Sequence, residues 1–404
     1  MELGPIWRAL MRNKTSYVLI ALQIAVTMAI MVNAIGIIQD RSRQMARPSG
    51  ADEDNIFYLS SVVYNENTDV PALITADLEA IRSFPGVRNA VWTNSLPLLS
   101  SGWAEGIRLE PDPELDSTSV GLFFADEHGI DTFGVNLIAG RNFEVGEIAW
   151  TDFESDAWPP VTIVTRAMAE ELFPDLMPNE VLGKTIYVHR TKPVTIIGVT
   201  ERMQAAWSGW SGLERTMLVP WKRPEMGGRF VIRTEPGYRD EVMPQIEEML
   251  ATSGDDRIIR GMRTMEEVRH RSYLEDSAMV KLLVFIVIVL TAITGLGIVG
   301  LASFSVARRT KQIGTRRALG ATRLAILRYF MLENLVISTV GVFGGAIIAI
   351  GINIWMVEAF GLERIAWYLI PAAMVILWLV GQLAVYGPAR RATLVSPALA
   401  TRSV

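Results

Sequence analysis

The sequence predicts a membrane α-helical protein: four transmembrane helices, with a large α+β extracytoplasmic domain between the first and the second. Three observations carry that expectation. Four apolar runs, at residues 17–38, 282–306, 332–357 and 367–385, each approach the ~20 residues that a helix needs to cross a bilayer. Residues 48–275 instead alternate strand-like and helix-like patterns separated by turn residues. Charge is divided as well, because Arg308, Arg309, Lys311, Arg316, Arg317, Arg323 and Arg328 crowd the short connection after the second run, with no acid before Glu333. A short, strongly basic connection marks the cytoplasmic side.

Composition fits a mixed architecture. Of 404 residues, 50% are hydrophobic and 20% charged, which is apolar for a soluble protein and too polar for a chain that is all membrane. There is no cysteine, which excludes disulfides, thiolate metal sites and a cysteine nucleophile and selects neither redox compartment. The presumed cytoplasmic pieces also hold Arg8, Arg12, Lys14, Arg390, Arg391 and Arg402 against only Glu2 and Glu333, so the rest of the chain is strongly acidic. It offers no basic surface for nucleic acid.

In chain order, Leu3, Ile6, Trp7 and Leu10 recur at helical spacing with Arg8 and Arg12 off that face, which predicts an amphipathic helix on the membrane surface over residues 1–16. Residues 17–38 are too long and lack the cleavage site of a signal peptide, so they are read as the first span. In the domain that follows, residues 56–64 predict a strand, Ile74, Leu78 and Ile81 one face of a helix that stops at Pro85-Gly86, and residues 87–93 a returning strand. A second such unit is predicted from residues 230–233, the face Val242, Ile246, Met249 and Leu250, and residues 257–262. Two β-α-β units around a middle region predict a split α+β sandwich with an insertion at about residues 95–222.

After the second span, Ile313, Arg317 and the Gly320-Ala321 pair fall on successive turns of a short helix lying flat at the cytoplasmic surface. Gly314 and Gly320 are expected to bracket it. Residues 322–330 mix Leu324, Ile326, Leu327 and Phe330 with Arg323 and Arg328, which suits the headgroup layer, so residues 307–331 form one cytoplasmic connection. On composition alone the plainer reading is positive-inside charge and nothing more. In the third span Gly341, Gly345 and Ala349 make a small-residue ridge, and Thr291 with Gly295 makes a shorter one in the second. Such ridges let helices pack closely, within one protomer or at a dimer seam. The tail, residues 386–404, returns to the basic side.

Little here suggests catalysis. Gly183-Lys184-Thr185 lacks the upstream glycine of a phosphate-binding loop, since Pro178 stands there. His128, His189 and His270 have no ligand spacing, and Glu170-Glu171 and Glu247-Glu248 read as helix-surface acids.

The stretch KQIGTRRALGATR after an apolar helix resembles the R-x-x-E-I-G-I-R-R-A-L-G-A-x-R signature of the FtsX/MacB permease superfamily of ABC transporters. In that family the element is a coupling helix that docks on an ATPase. The resemblance therefore implies ATPase-coupling roles for Gln312, Gly314, Arg316, Arg317, Ala318, Leu319 and Gly320. Gln312 departs from the pattern, which usually has Glu there. FADEHGIDTFGVNLIAGRNF, VTIVTRAMAEELFPD, LGKTIYV and VTIIGVTE resemble phrases of the MacB-type periplasmic domain, a porter lobe interrupted by a sabre lobe.

Together these resemblances cover nearly the whole chain. They imply a non-catalytic permease subunit, in the bacterial inner membrane with both termini cytoplasmic, that pairs with a second permease, identical or paralogous. A separate ABC ATPase would hold ATP and Mg²⁺, leaving this chain without a cofactor. The implied activity is export of a peptide, antibiotic or other small product, in an assembly with a periplasmic membrane-fusion protein and a TolC-like outer-membrane channel. Two alternatives share the topology: a LolC/LolE-type lipoprotein-release permease and an FtsX-type regulator of a periplasmic cell-wall hydrolase. The long domain argues against the regulator, and the GRNF phrase favours the MacB type.

Overall fold

The computed structural model describes residues 14–65, 67–151, 157–224, 228–254, 257–361 and 364–396. The amphipathic helix expected at residues 1–16 falls almost wholly outside them, as does the end of the tail. The chain divides into two compact units, residues 1–46 with 275–404, and residues 47–274.

The first unit opens with α1 (Lys14–Met45). The second begins with β1 (Ile56–Val63), α2 (Val70–Arg82) and β2 (Val87–Thr93). Asp69 starts α2, its carboxylate accepting the Ala72 N–H at 3.1 Å, with proline in the first turn where no intrahelical donor is needed. Gly86 turns the chain with φ +85, a conformation that favours glycine.

The insertion carries β3 (Trp103–Ile107), β4 (Thr118–Phe124), α3 (Gly129–Phe133), β5 (Leu137–Gly140), β6 (Ala149–Trp150), β7 (Val161–Thr165), α4 (Arg166–Leu172), α5 (Pro178–Val181), β8 (Thr185–Val188), β9 (Lys192–Thr200), β10 (Thr216–Val219) and β11 (Trp221–Lys222). The chain then returns through β12 (Arg229–Thr234), α6 (Arg239–Thr252), β13 (Arg257–Thr264) and α7 (Met265–Ser272).

The two β-α-β units share one sheet of order β13-β1-β12-β2, antiparallel at every step: Val62 lies opposite Ile258, Ile56 opposite Arg233 and Val231 opposite Val91. Each unit's two strands are separated by a strand of the other, the split β-α-β arrangement. Ile74, Leu78 and Ile81 of α2 and Val242, Ile246 and Leu250 of α6 are buried against Phe57, Leu59, Trp92, Phe230 and Ile232. Because β2 and β12 are neighbours, the insertion leaves and re-enters where a hairpin turn would otherwise stand, so it interrupts no strand pairing.

The insertion folds around its own mixed sheet, β3-β4-β10-β7-β9-β5, with β8 beside β9. β4 with β10 and β7 with β9 are parallel, the other pairs antiparallel. Its core includes Phe124, Val164, Ile196, Val199 and Met217, with Trp221 packed on Trp158, Trp103 and Phe124.

At the start of this unit, Glu53 accepts from Arg269 at 2.5 Å through both carboxylate oxygens and from the Ser49 hydroxyl. Burial alone would raise the Glu53 carboxyl, but these donors outweigh it and hold the group below its usual range.

Back in the first unit lie α8 (Leu274–Arg308), α9 (Thr310–Ala318), α10 (Arg323–Phe360) and α11 (Leu369–Thr393). α1, α8, α10 and α11 are long and apolar enough to cross a membrane. At about 1.5 Å per residue, the 35-residue α8 is roughly 52 Å long. That exceeds the ~30 Å hydrocarbon core. Residues 323–330 are the opening turns of α10, continuous with the apolar run beyond them.

Candidate functional site

The basic connection is built by two breaks in helix continuity. α8 ends at Arg308, and Arg309 leaves the helical conformation with φ −104 and ψ 12 before α9 starts at Thr310. α9 ends at Ala318 with Leu319 as its cap, and Gly320 then adopts φ +93 and lets the chain reverse. Thr322 then caps α10, its hydroxyl accepting the Ala325 N–H at 3.2 Å.

Gly314 does not bracket this helix as the sequence suggested. It lies buried inside α9, because the helix begins at the end of α8 and needs no glycine to start it. The bracket on the far side is Gly320.

α9 is seated on the bundle by one apolar side chain and two arginines. Ile313 is buried in a cluster with Ile326, Tyr329 and Phe330 of α10 and Ala389 and Ala392 of α11. The Arg317 guanidinium donates to the backbone carbonyls of Thr393, the last residue of α11, at 2.9 Å and of Val395, two residues beyond it, at 2.7 Å. Arg316 lies over the Tyr329 ring at 4.9 Å.

The other predicted coupling residues, Gln312, Ala318, Leu319 and Gly320, are exposed, as is Arg316 itself, with Lys311 and Thr315 beside them. Leu319 is 83% exposed, an unusual position for a large apolar side chain. Gln312 and Arg316 also border a cavity of about 140 Å³ whose floor is Ile313, Ala325, Ile326 and Phe330.

Beneath α9 sits a polar network that sequence reasoning missed. Arg309 donates to Glu333 Oε2 of α10 at 3.1 Å and to the Tyr17 hydroxyl of α1 at 2.8 Å. Tyr17 in turn donates to Glu333 Oε1 at 2.7 Å. Glu333 is 4% exposed and Tyr17 8%. The available signal was a lone acid and a lone tyrosine inside otherwise apolar helical runs.

The predicted packing residues are placed differently from one another. A Cβ on Gly341 would come within 2.7 Å of the Ile24 Cβ, and one on Gly345 within 2.6 Å of the Ala25 carbonyl oxygen, so this ridge is pressed against α1. Ala349 continues it, fully buried, its carbonyl accepting from Asn33 at 3.3 Å. Gly295 faces Val380 of α11 at ordinary contact distance, while the Thr291 hydroxyl folds back on its own helix at Val287. α8 meets α1 through their neighbours: Thr294 lies 2.8 Å from Thr27, and Gly297 lies under Gln23.

This arrangement of a braced surface helix between two spans coincides with a known family region. The FtsX-like permease C-terminal family matches residues 284–397, and the MacB-like periplasmic core domain family matches residues 17–249, more than half of the chain. The chain belongs to the MacB/FtsX permease family.

Among relatives of this permease, the macrolide export ATP-binding/permease protein MacB of Shewanella oneidensis is 27% identical over 66% of this chain and 42% of its own length. The ABC transporter permease YknZ of Bacillus subtilis, described as uncharacterized, is 25% identical over 94% of this chain and 92% of its own length. The pyoverdine export ATP-binding/permease protein PvdT of Pseudomonas fluorescens is 23% identical over 98% of this chain and 58% of its own length. The chain thus spans less than half the length of the MacB relatives it matches. As a MacB/FtsX-type permease it is a membrane protein with an α+β domain.

Proposed function

We propose that this permease is the membrane subunit of an ATP-driven exporter, and that the exposed edge of α9 is where a separate ABC ATPase docks. The observation that carries the proposal is Leu319, a large apolar side chain 83% exposed at the tip of a helix that is otherwise braced from beneath. A braced helix with an outward apolar tip and flanking Gln312, Arg316 and Ala318 suits a packed contact with a cytoplasmic protein. In this reading α9 and both termini are cytoplasmic and the α+β domain lies outside, in a bacterial inner membrane, and the excess of arginine and lysine in the basic connection supports it. ATP and Mg²⁺ belong to the ATPase in this reading.

Two copies of the permease, or this chain and a paralogue, would flank two ATPases. The macrolide and pyoverdine export for which two relatives are named supports a small exported product as cargo. A periplasmic membrane-fusion protein and an outer-membrane channel complete the exporter.

Leu319→Asp puts an unpaired charge into the proposed contact, a cost of about 1–3 kcal/mol. The expected result is loss of ATPase stimulation in the co-purified complex, with normal expression, membrane insertion and domain folding. A Leu319→Asp complex with unchanged stoichiometry and ATP turnover would remove the docking site from α9.

A further inference from the structure

We propose that Arg309 is a positioning residue, latching the α8–α9 joint to α1 through Tyr17 and Glu333. The three side chains close a triangle: Arg309 donates to both partners, and the Tyr17 hydroxyl accepts from Arg309 while donating to Glu333. Tyr329 adds a fourth oxygen, 3.4 Å from the guanidinium. Both glutamate oxygens are thereby engaged. A buried carboxylate in an apolar helix is tolerated only with such partners, so removing one member leaves the others uncompensated.

Location gives the triangle its role. Arg309 is the one residue between α8 and α9, outside helical geometry, so its side chain fixes the joint between the two helices. Tyr17 lies in α1, the helix that leads into the α+β domain, and α8 is the helix that leads out of it. A displacement of α9 therefore reaches both connections to that domain through one guanidinium, while Arg317 fastens the other end of α9 to α11. Three of the four apolar helices meet in this latch, α8 through Arg309, the residue that follows it, α1 through Tyr17 and α10 through Glu333.

The inference rests on the docking proposal only for the source of the push; the latch itself is testable without any ATPase. The chain has no native cysteine, so spin labels at Leu19→Cys of α1 and Thr315→Cys of α9, or at Thr315→Cys and Leu324→Cys of α10, report two separations in lipid nanodiscs by pulsed electron resonance. Tyr17→Phe removes one hydroxyl and keeps the ion pair, so it should broaden the α1–α9 distribution and leave α9–α10 as in the parent. Glu333→Gln should broaden both, and Arg309→Lys, which keeps the charge but has one nitrogen where the guanidinium uses two, should keep α9–α10 as in the parent and broaden α1–α9.

A merely structural loss would broaden both separations in every variant, including Tyr17→Phe, and would overturn the positioning role. So would parental distributions in both Tyr17→Phe and Glu333→Gln. If the distributions change as expected while Leu319→Asp leaves the stoichiometry and ATP turnover of the co-purified complex unchanged, the latch stands and the docking proposal on α9 fails.

Discussion

α8 and α10 are both long apolar helices beside α1, yet they meet it by different physics. α10 presses Gly341 and Gly345 into the α1 backbone, so close that no Cβ fits at either position. α8, the more apolar of the two, buries only Thr294 and Ile298 along its whole length. It touches α1 at spaced polar points: the Arg41–Asp276 ion pair at 3.0 Å, the Gln23 amide donating to the Ile293 carbonyl at 3.1 Å, and Thr27 with Thr294. In lipid, apolar side chains gain little by leaving the bilayer for another helix, so association follows close backbone approach and hydrogen bonds instead. Hydrophobicity thus says which helices enter the membrane and says nothing of which are fastened there.

The contrast breaks most visibly at Gly345. Gly345→Leu must push α1 and α10 apart, at a cost of about 1–3 kcal/mol or more by overpacking, read as a lower melting temperature of the purified permease in detergent. An unchanged melt would mean that the two helices are not in close contact. A finer probe is the double-mutant cycle of Thr27→Val and Thr294→Val, for which a coupling of about 0.6 kcal/mol is expected. Zero coupling would leave the α1–α8 attachment to its two other polar contacts. The smallest effect belongs to Leu296→Ala, since Leu296 is 70% exposed on α8; thermal stability in a bilayer should move by no more than about 0.5 kcal/mol. A loss as large as that at Gly345 would show that this face is covered by protein rather than lipid.

What the sequence discloses follows the range of each interaction. The four spans, the strands of the outer sheet and the faces of α2 and α6 were legible because hydropathy and side-chain period act locally. The ridge on α10 was legible for the same reason: three small residues spaced four apart share one face. On α8 the same reasoning chose Thr291 and Gly295, while Thr294 and Gly297 meet α1. A helix on which small residues appear on several faces does not declare which face is used.

The latch was hidden by distance: Tyr17 and Glu333 are 316 residues apart, and only folding makes them partners. The family signature singled out Arg317 for its outward role, whereas its guanidinium is engaged with the Thr393 and Val395 carbonyls. Charge is visible in a sequence, but the end of a helix waiting for that charge is not.

The interruption between β2 and β12 also sets a timetable for synthesis. β1 pairs only with β12 and β13, so from the moment Ile56 emerges, its partner Arg233 is still unmade. At about 5–20 residues per second, the wait is on the order of ten seconds or more. All strands of the inserted mixed sheet emerge within that interval and can close on one another first. The outer sheet is completed afterwards by the chain that leads into α8, so the lobe bounded by α1 and α8 is the last part of the domain able to form. A nascent chain stalled before residue 229 would expose β1 and β2 as bare edges, available for pairing with another molecule.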